Sequence, residues 1–360
     1  MKKLVAMLLV FTMSISLAAC GGNKSSESTS GESKANESTV GDTKAAEENT
    51  AASVENSGEP VSGGTVNIPI TDDPTTLQGW MLRNTNESAL APAIYETLLR
   101  YDETGKPQPF LLESFEGDPE ALTYTMVVRD GITFQDGTPL DAEAVKWNLD
   151  YYKENGVLTG SYFNYVESVE VVDDKTVVVH MSQWDALFDY GLARTCFICS
   201  PTAVESLGVD GFNEMPVGTG AFKVTKWVHG EGIYTEKYDQ YWQGTPYLDG
   251  VNFKIYASTA TQQAALEVGD LDIMNLTGDA ITADALKAKG YSMSNAAIPS
   301  TGYTLCFNSQ ADGPLKDLRV RQAIAYAVDT KAICDSLLGD GAYGTESTQW
   351  AISSSAEYNS

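Results

Sequence analysis

The chain is 360 residues long, with 23 Lys and Arg against 49 Asp and Glu and a formal net charge of −26. That balance excludes a nucleic-acid partner, whose phosphates demand a basic face, and a protein held to anionic lipid by basic residues. A hydrophobic content of 42% with 10% aromatics is that of a globular protein, and the length predicts two or three domains.

Residues 1–20 read as an address. Lys2 and Lys3 give a positive start, Leu4 to Leu17 is an apolar run too short to span a membrane with ease, and Leu17-Ala18-Ala19-Cys20 closes it. Those last four residues resemble a bacterial lipobox. In that resemblance Cys20 is acylated and begins the mature protein, and more than one buried acyl chain gives stable anchoring. Residues 21–60 are Gly, Ser, Thr, Asn, Glu and Ala with almost no large apolar side chain. Such a segment cannot offset its ordering entropy by burial, and it reads as a disordered Ser/Glu-rich tether.

The folded part opens with a strand, "GGTVNIPI" (63–70). "NESALAPAIYETLLRYD" (86–102) predicts a helix, with Leu90, Ile94 and Leu98 on one face and Asn86 as its cap. "LTYTMVVRDGITFQDGTPL" (122–140) alternates like paired strands, with Asp130-Gly131 and Asp136-Gly137 as turns. Asp141 caps an amphipathic helix through "LDAEAVKWNLDYYKEN". "VESVEVVDDKTVVVHMS" (166–182) predicts a hairpin around Asp173-Asp174-Lys175, and "ARTCFICSP" a short apolar strand. On a strand, Cys196 and Cys199 face opposite sides, which opposes both a local disulfide and shared metal ligation and leaves them as small buried thiols.

"PVGTGAFKVTKW" (216–227) has two glycines one residue apart. A dinucleotide loop needs a third glycine where Lys223 stands, and a helix where an alternating strand follows. A Walker spacing is absent as well. Gly218 and Gly220 are instead expected to permit unusual backbone angles where the chain turns into a strand. Strands at "GIYTEKYD" and "VNFKIYA" come next. "TATQQAALEVGDLDIM" predicts a helix, a glycine stop and a strand, and Asp329 divides two helices in "DLRVRQAIAYAVDTKAICDSLL". Elements of both kinds, with strands in hairpins and singly between helices, predict a mixed sheet carrying an inserted smaller α/β region.

"PVGTGAFKVTKW", "YDQYWQGTPYLDGVNFKIY", "QQAALEVGDLDI" and "LRVRQAIAYAVDTKAI" together resemble the solute-binding proteins of the peptide and nickel class (family 5) of ABC importers. "VVRDGITFQDGTPLDAEAVKWNLD" carries the same resemblance, through Phe134, Asp136-Gly137, Pro139 and the helix from Asp141. The likeness covers about residues 61–350. It implies a mixed α/β, two-lobed periplasmic-binding-protein fold of type II. Lobe I would be formed by 61–98 and 215–300, an inserted subdomain by 99–214, and the start of an incomplete lobe II by 301–360. Family members usually run well over a hundred residues longer, so the chain reads as a fragment or a truncated product.

The resemblance implies a lipid-anchored, monomeric receptor on the outer face of the cytoplasmic membrane, capturing a peptide, nickel complex or similar small molecule by hinge closure and delivering it to permease subunits. Binding of this type works by population shift between open and closed forms, with no catalytic group and no cofactor. No Gly-x-Ser-x-Gly or His-Glu-x-x-His motif is present. The family's inter-lobe cleft points to Trp80, Met81, Arg83, Asn84 and Thr85, to Tyr162, Phe163 and Arg194, and to Thr301 and Tyr303. An aromatic wall with an Arg suits a carboxylate-bearing ligand. Trp80, Met81, Tyr162 and Phe163 would equally serve as core, and Arg194 as one half of a surface ion pair. Asp72-Asp73 reads as a turn. His180 and His229 are too scattered to argue for a metal. An exported cell-envelope hydrolase and a ligand-sensing receptor are the alternatives.

Overall fold

A computed structural model describes residues 60–294 except 84, 158–159 and 277–278, residues 306–339 except 311, and residue 344. The elements, in chain order, begin with β1 (Thr65–Ile70), α1 (Thr85–Ile94), β2 (Leu99–Tyr101) and β3 (Pro107–Pro109). Next come β4 (Leu112–Asp118), β5 (Thr123–Val128), α2 (Ala142–Asn155), β6 (Val166–Val171) and β7 (Thr176–Met181). They are followed by α3 (Phe188–Arg194), α4 (Pro201–Glu214), β8 (Phe222–Val228), β9 (Gly232–Lys237) and β10 (Gly250–Ile255). The described part closes with α5 (Thr259–Val268), α6 (Ala280–Ala288), α7 (Leu318–Ala327) and α8 (Thr330–Leu338).

Two sheets organise these elements. The first runs β1-β10-β9-β8, with β1 and β10 parallel from Thr65↔Gly250 to Ile70↔Ile255 and the other pairs antiparallel. The second runs β4-β5-β7-β6 and is antiparallel throughout. The chain leaves the first sheet after β1, builds the second sheet with α2, α3 and α4, and re-enters the first at β8. On β5 and β7 alternate residues are buried: Tyr124, Met126 and Val128 on one, Val177, Val179 and Met181 on the other. That period of two gives the sheet one inward face. Val145, Leu149 and Tyr152 recur at helical spacing on α2 and are all within 1% of full burial. They join a buried cluster that extends from Ile70, Val251 and Phe253 of the first sheet through the second.

Several elements form as the sequence predicts. The Asp141 side chain accepts from Ala144 N (2.9 Å) and caps α2. Asp329 does the same for α8 through Ala332 N (2.9 Å). The hairpin at Asp173 is closed by its carboxylate, which accepts from Lys175 N and Thr176 N.

Others differ. α1 ends at Ile94, not near Asp102; Thr97 bridges Phe197, and Leu98 and Leu99 are buried in extended chain. Asn86 sits inside the first turn of α1, and its carbonyl accepts from Thr71 N (3.2 Å) instead of capping the helix. Residues 131–140 make a tight loop closed by a single Thr133↔Pro139 bridge; β5 pairs with β4 and β7 instead. The stretch after Gly269 is not a strand.

The segment 195–200 is held by side chains more than by a sheet. Buried Asn148 satisfies both Cys199 N–H and Cys199 C=O at 2.9 Å, and Tyr152 OH donates to Phe197 O (2.9 Å). Cys196 and Cys199 are free and fully buried, and burial raises both thiols.

Gly218 and Gly220 serve a purpose other than unusual backbone angles, because neither has positive φ. A Cβ at Gly220 would stand 2.6 Å from Ala93 O and 2.6 Å from the Ile94 carbonyl carbon, and one at Gly218 would overlap Ile94 O. The glycines let the return strand press against the end of α1. Gln135 fastens that junction: its amide nitrogen donates to Ile94 O, Gly220 O and Phe222 O, and its carbonyl accepts from Gly218 N (3.1 Å).

Candidate functional site

The loop between β1 and α1 carries the first group of predicted ligand residues. Glu87, at the third position of α1 and wholly buried, holds both ends of it. Glu87 accepts from Thr75 N (3.0 Å), Thr75 Oγ1 (2.6 Å) and Arg83 N (2.5 Å). Carboxylates are favoured there by the partial positive charge of a helix N-terminus. From the inserted region Asn213 Oδ1 accepts from Leu77 N (3.0 Å) and Thr76 Oγ1 (2.8 Å), and Tyr95 OH donates to Leu77 O (2.6 Å). The loop is a fixed platform built from three separate parts of the chain.

On that platform Trp80 is 3% exposed and packs its ring against Phe212 (5.3 Å, stacked) and Tyr151 (4.8 Å, edge-on). Met81 is half-buried beside the same cluster, and the Arg83 side chain is exposed. Asn84, Thr301 and Tyr303 lie outside the described residues, as does Cys20, and of Thr85 only the backbone is described.

Tyr162, Phe163 and Arg194 form a second group around α3. Phe163 is 2% exposed, between Tyr152 (6.2 Å) and Phe188 (5.7 Å). Tyr162 lies flat on Gly191, where any Cβ would collide with its ring. Arg194 ends α3 with its side chain in solvent, and no carboxylate pairs with it among the described residues. Beside it Tyr101 donates its hydroxyl to Tyr190 O (3.0 Å). Burial pushes the Tyr101 phenol up to about 12, while the Arg194 charge pulls it down. Both groups reach α2, since Val157 N, just past its end, donates to Trp80 O (3.1 Å) and Phe163 stacks on Tyr152.

Trp80 and Phe163 are therefore packing residues in this conformation. Met81, Arg83, Tyr162 and Arg194 retain surface toward solvent. The loop-fixing residues Glu87 and Asn213 were not among those expected from sequence. The spacing Asn84-x-x-Glu87 is that of a capping box and is the signal that points to Glu87. Asn213 has no comparable signal, because its partners lie in a remote stretch of chain.

Two buried or half-buried carboxylates have raised pKa values. Glu96 is raised by burial against the lowering effect of Tyr241 and Trp242, which donate to it at 2.6 and 2.8 Å. Asp189 is raised by burial, with its own chain amides opposing. Glu96 ties down the 238–242 loop, so its environment is structural. Asp73 likewise accepts from Trp227 Nε1 (2.9 Å) and Gly230 N (2.8 Å) and anchors the β8–β9 hairpin, at whose tip His229 lies. His180 faces Glu170 across the β6–β7 pair (3.0 Å). Among the described residues no group of three or more His, Cys, Asp or Glu is placed to hold a metal. No described helix is long and apolar enough to cross a membrane.

An α/β body in which one sheet is interrupted by a second sheet and its helices is that of the periplasmic binding proteins, and solved structures agree. The oligopeptide-binding protein AppA from Bacillus subtilis, in complex with a nonapeptide, superposes with a TM-score of 0.64 at 26% identity, over 79% of this chain and 57% of that one. AgaA from A. tumefaciens R10, in complex with agropinic acid, gives 0.63 at 29%, over 77% and 56%.

Residues 106–360 match the bacterial extracellular solute-binding proteins, family 5 Middle, and the chain belongs to that family. The glutathione-binding protein GsiB of Salmonella paratyphi A is 31% identical over 264 residues, 72% of this chain and 51% of GsiB. The chain thus spans about half the length of the curated relatives it matches. Its relatives are substrate-binding proteins and not enzymes, and the hydrolase alternative has no support.

Proposed function

We propose that the chain is the solute-capturing component of an ABC importer, anchored through a lipid on Cys20 and tethered by residues 21–60, and that its solute is a short peptide. The match to a glutathione-binding protein over 72% of the chain carries this reading. The structure of AppA with a nonapeptide supports the same class of solute. Residues 61–98 and 215–300 would form lobe I, 99–214 its inserted subdomain, and 301–360 the start of lobe II. Arg83 and Arg194 are exposed guanidinium groups of the kind that pair with a peptide carboxylate, while Met81 and Tyr162 supply apolar surface. Asn84, Thr85, Thr301 and Tyr303 would complete the cleft. The body acts as a monomer that closes on its solute and then docks on the permease.

Calorimetry and thermal shift of the chain against glutathione, di- and oligopeptides, nickel with histidine, and sugars test this. A peptide should stabilise it in proportion to RT ln(1 + [L]/Kd), and Arg83→Ala or Arg194→Ala should weaken it about tenfold. Stabilisation by a sugar or the nickel complex alone overturns the peptide assignment. No response, together with turnover of a peptide or glycan, overturns the import reading. Palmitate incorporation that survives Cys20→Ala removes the proposed anchor.

A further inference from the structure

Outside the proposed cleft, a groove of about 610 Å³ runs along the outer face of α2. Its walls include Thr138 and Pro139 of the loop before the helix and Pro201 and Thr202 at the start of α4. Its floor is aromatic. Trp147 and Tyr151 lie one helical turn apart and stack at 4.6 Å with 18° between their planes. Tyr151 stands edge-on to Trp80, and Trp80 stacks on Phe212. A continuous run of four rings therefore leads from the buried interior to an open groove, where Trp147 and Tyr151 are only partly buried.

Charge singles out what the groove would accept. Asp141, Glu143, Asp150 and Glu154 line it against a single Lys146. Asp141 is occupied as the helix cap, and Lys146 is tied to Asp150 at 2.5 Å. Glu143 and Glu154 have no ion pair among the described residues. They flank Trp147 and Tyr151 on the same face of α2, because positions 143, 147, 150/151 and 154 recur at helical spacing.

We propose that this groove is a second binding site, one that takes the guanidinium side chain of a basic peptide. The flat cation would lie over the partly exposed Trp147 ring. Its N–H groups would fork to the Glu143 carboxylate one turn from Trp147, and a second basic side chain of the peptide would reach Glu154, about 16 Å further along α2. The site is independent of the importer reading, and a chain that binds no neutral peptide could still bind here.

Calorimetric titration of the chain with triarginine, trialanine, triglutamate and a neutral trisaccharide, at low and high salt, tests it. Triarginine should bind, with an affinity that falls as salt rises, while any binding of trialanine or triglutamate in the proposed cleft should be untouched by Trp147→Ala, and the trisaccharide should not bind. Trp147→Ala should weaken triarginine about fivefold or more. The double variant Glu143→Gln/Glu154→Gln, which leaves the rings in place, should weaken it further and flatten the salt dependence. Lack of triarginine binding overturns the proposal, and so does trialanine binding that is lost in Trp147→Ala, which would make the groove merely apolar. Triarginine binding untouched by the double variant would place the cation elsewhere on the acidic surface. Trisaccharide binding lost in Trp147→Ala, without triarginine binding, would make the groove a sugar platform.

Discussion

α2 and α8 begin alike and end up differently. Each starts at an Asp whose carboxylate accepts from the backbone N–H three residues on, and each has an amphipathic pattern. α2 buries Ala142, Ala144, Val145, Asn148, Leu149 and Tyr152. α8 buries none of its residues, with Ile333 48% and Leu337 44% exposed, and α7 leaves Tyr326 89% exposed. Local signals suffice to form a helix and cap it. What makes one helix a structural column is the surface laid against it, and most of that surface comes from far away in the chain.

The difference between the two helices is largest in the core. Leu149→Ala should cost about 2–5 kcal/mol in denaturant unfolding, for lost burial and the cavity left behind. Leu337→Ala should change it by about 0.5 kcal/mol or less. Similar losses at the two sites would mean that α8 is packed as firmly as α2. Next comes Asn148→Ala, which strands the buried N–H and C=O of Cys199 and should cost about 1–3 kcal/mol. Asn148→Asp repairs the N–H partner alone and should lie no closer to the parent. Asp141→Ala should cost about 1 kcal/mol of global stability through the lost cap. Asp329→Ala should instead appear as faster amide exchange within α8, with the global midpoint unmoved.

The smallest effect is a pH effect. Burial raises the Glu96 pKa in the folded protein, so in the window from the ordinary glutamate range up to that raised value the native state holds more protons than the unfolded chain. Glu96 therefore makes stability fall as pH rises through that window. Urea midpoints measured across it should fall less steeply for Glu96→Gln. Parallel profiles for variant and parent would show that Glu96 does not sense the window.

Where an element depends only on neighbouring residues, the sequence was readable. Asp141 announced α2, and strict alternation announced the β6–β7 hairpin. The failures share a cause. Apolar spacing continues through Leu98, and Leu98 is indeed buried, but in extended chain, since periodicity reports burial and not the element that achieves it. Alternation through 131–140 looked like a partner for β5, whose actual neighbour β7 begins at Thr176. Gly218 and Gly220 stand out in the sequence by their spacing. Their reason is the Ile94 carbonyl, over a hundred residues earlier, and no local pattern contains it. The candidate site was legible as residue types on a recognisable framework. Which of them face solvent was not, because Trp80 and Phe163 go inward on account of Phe212 and Phe188.

The parallel pairing of β1 with β10 has a consequence in time. Among the described residues the sheet neighbour of β1 is β10, so β1 has no described ladder to join until residues 250–255 have been made. The strands of the second sheet all lie within residues 112–181. Nonlocal pairing of this kind carries a large loop-closure cost and slows folding. During synthesis the inserted region can mature while the sheet that frames it stays open. The frame is therefore the late part of this fold, and a chain held short of residue 250 would carry a paired second sheet beside an unpaired β1.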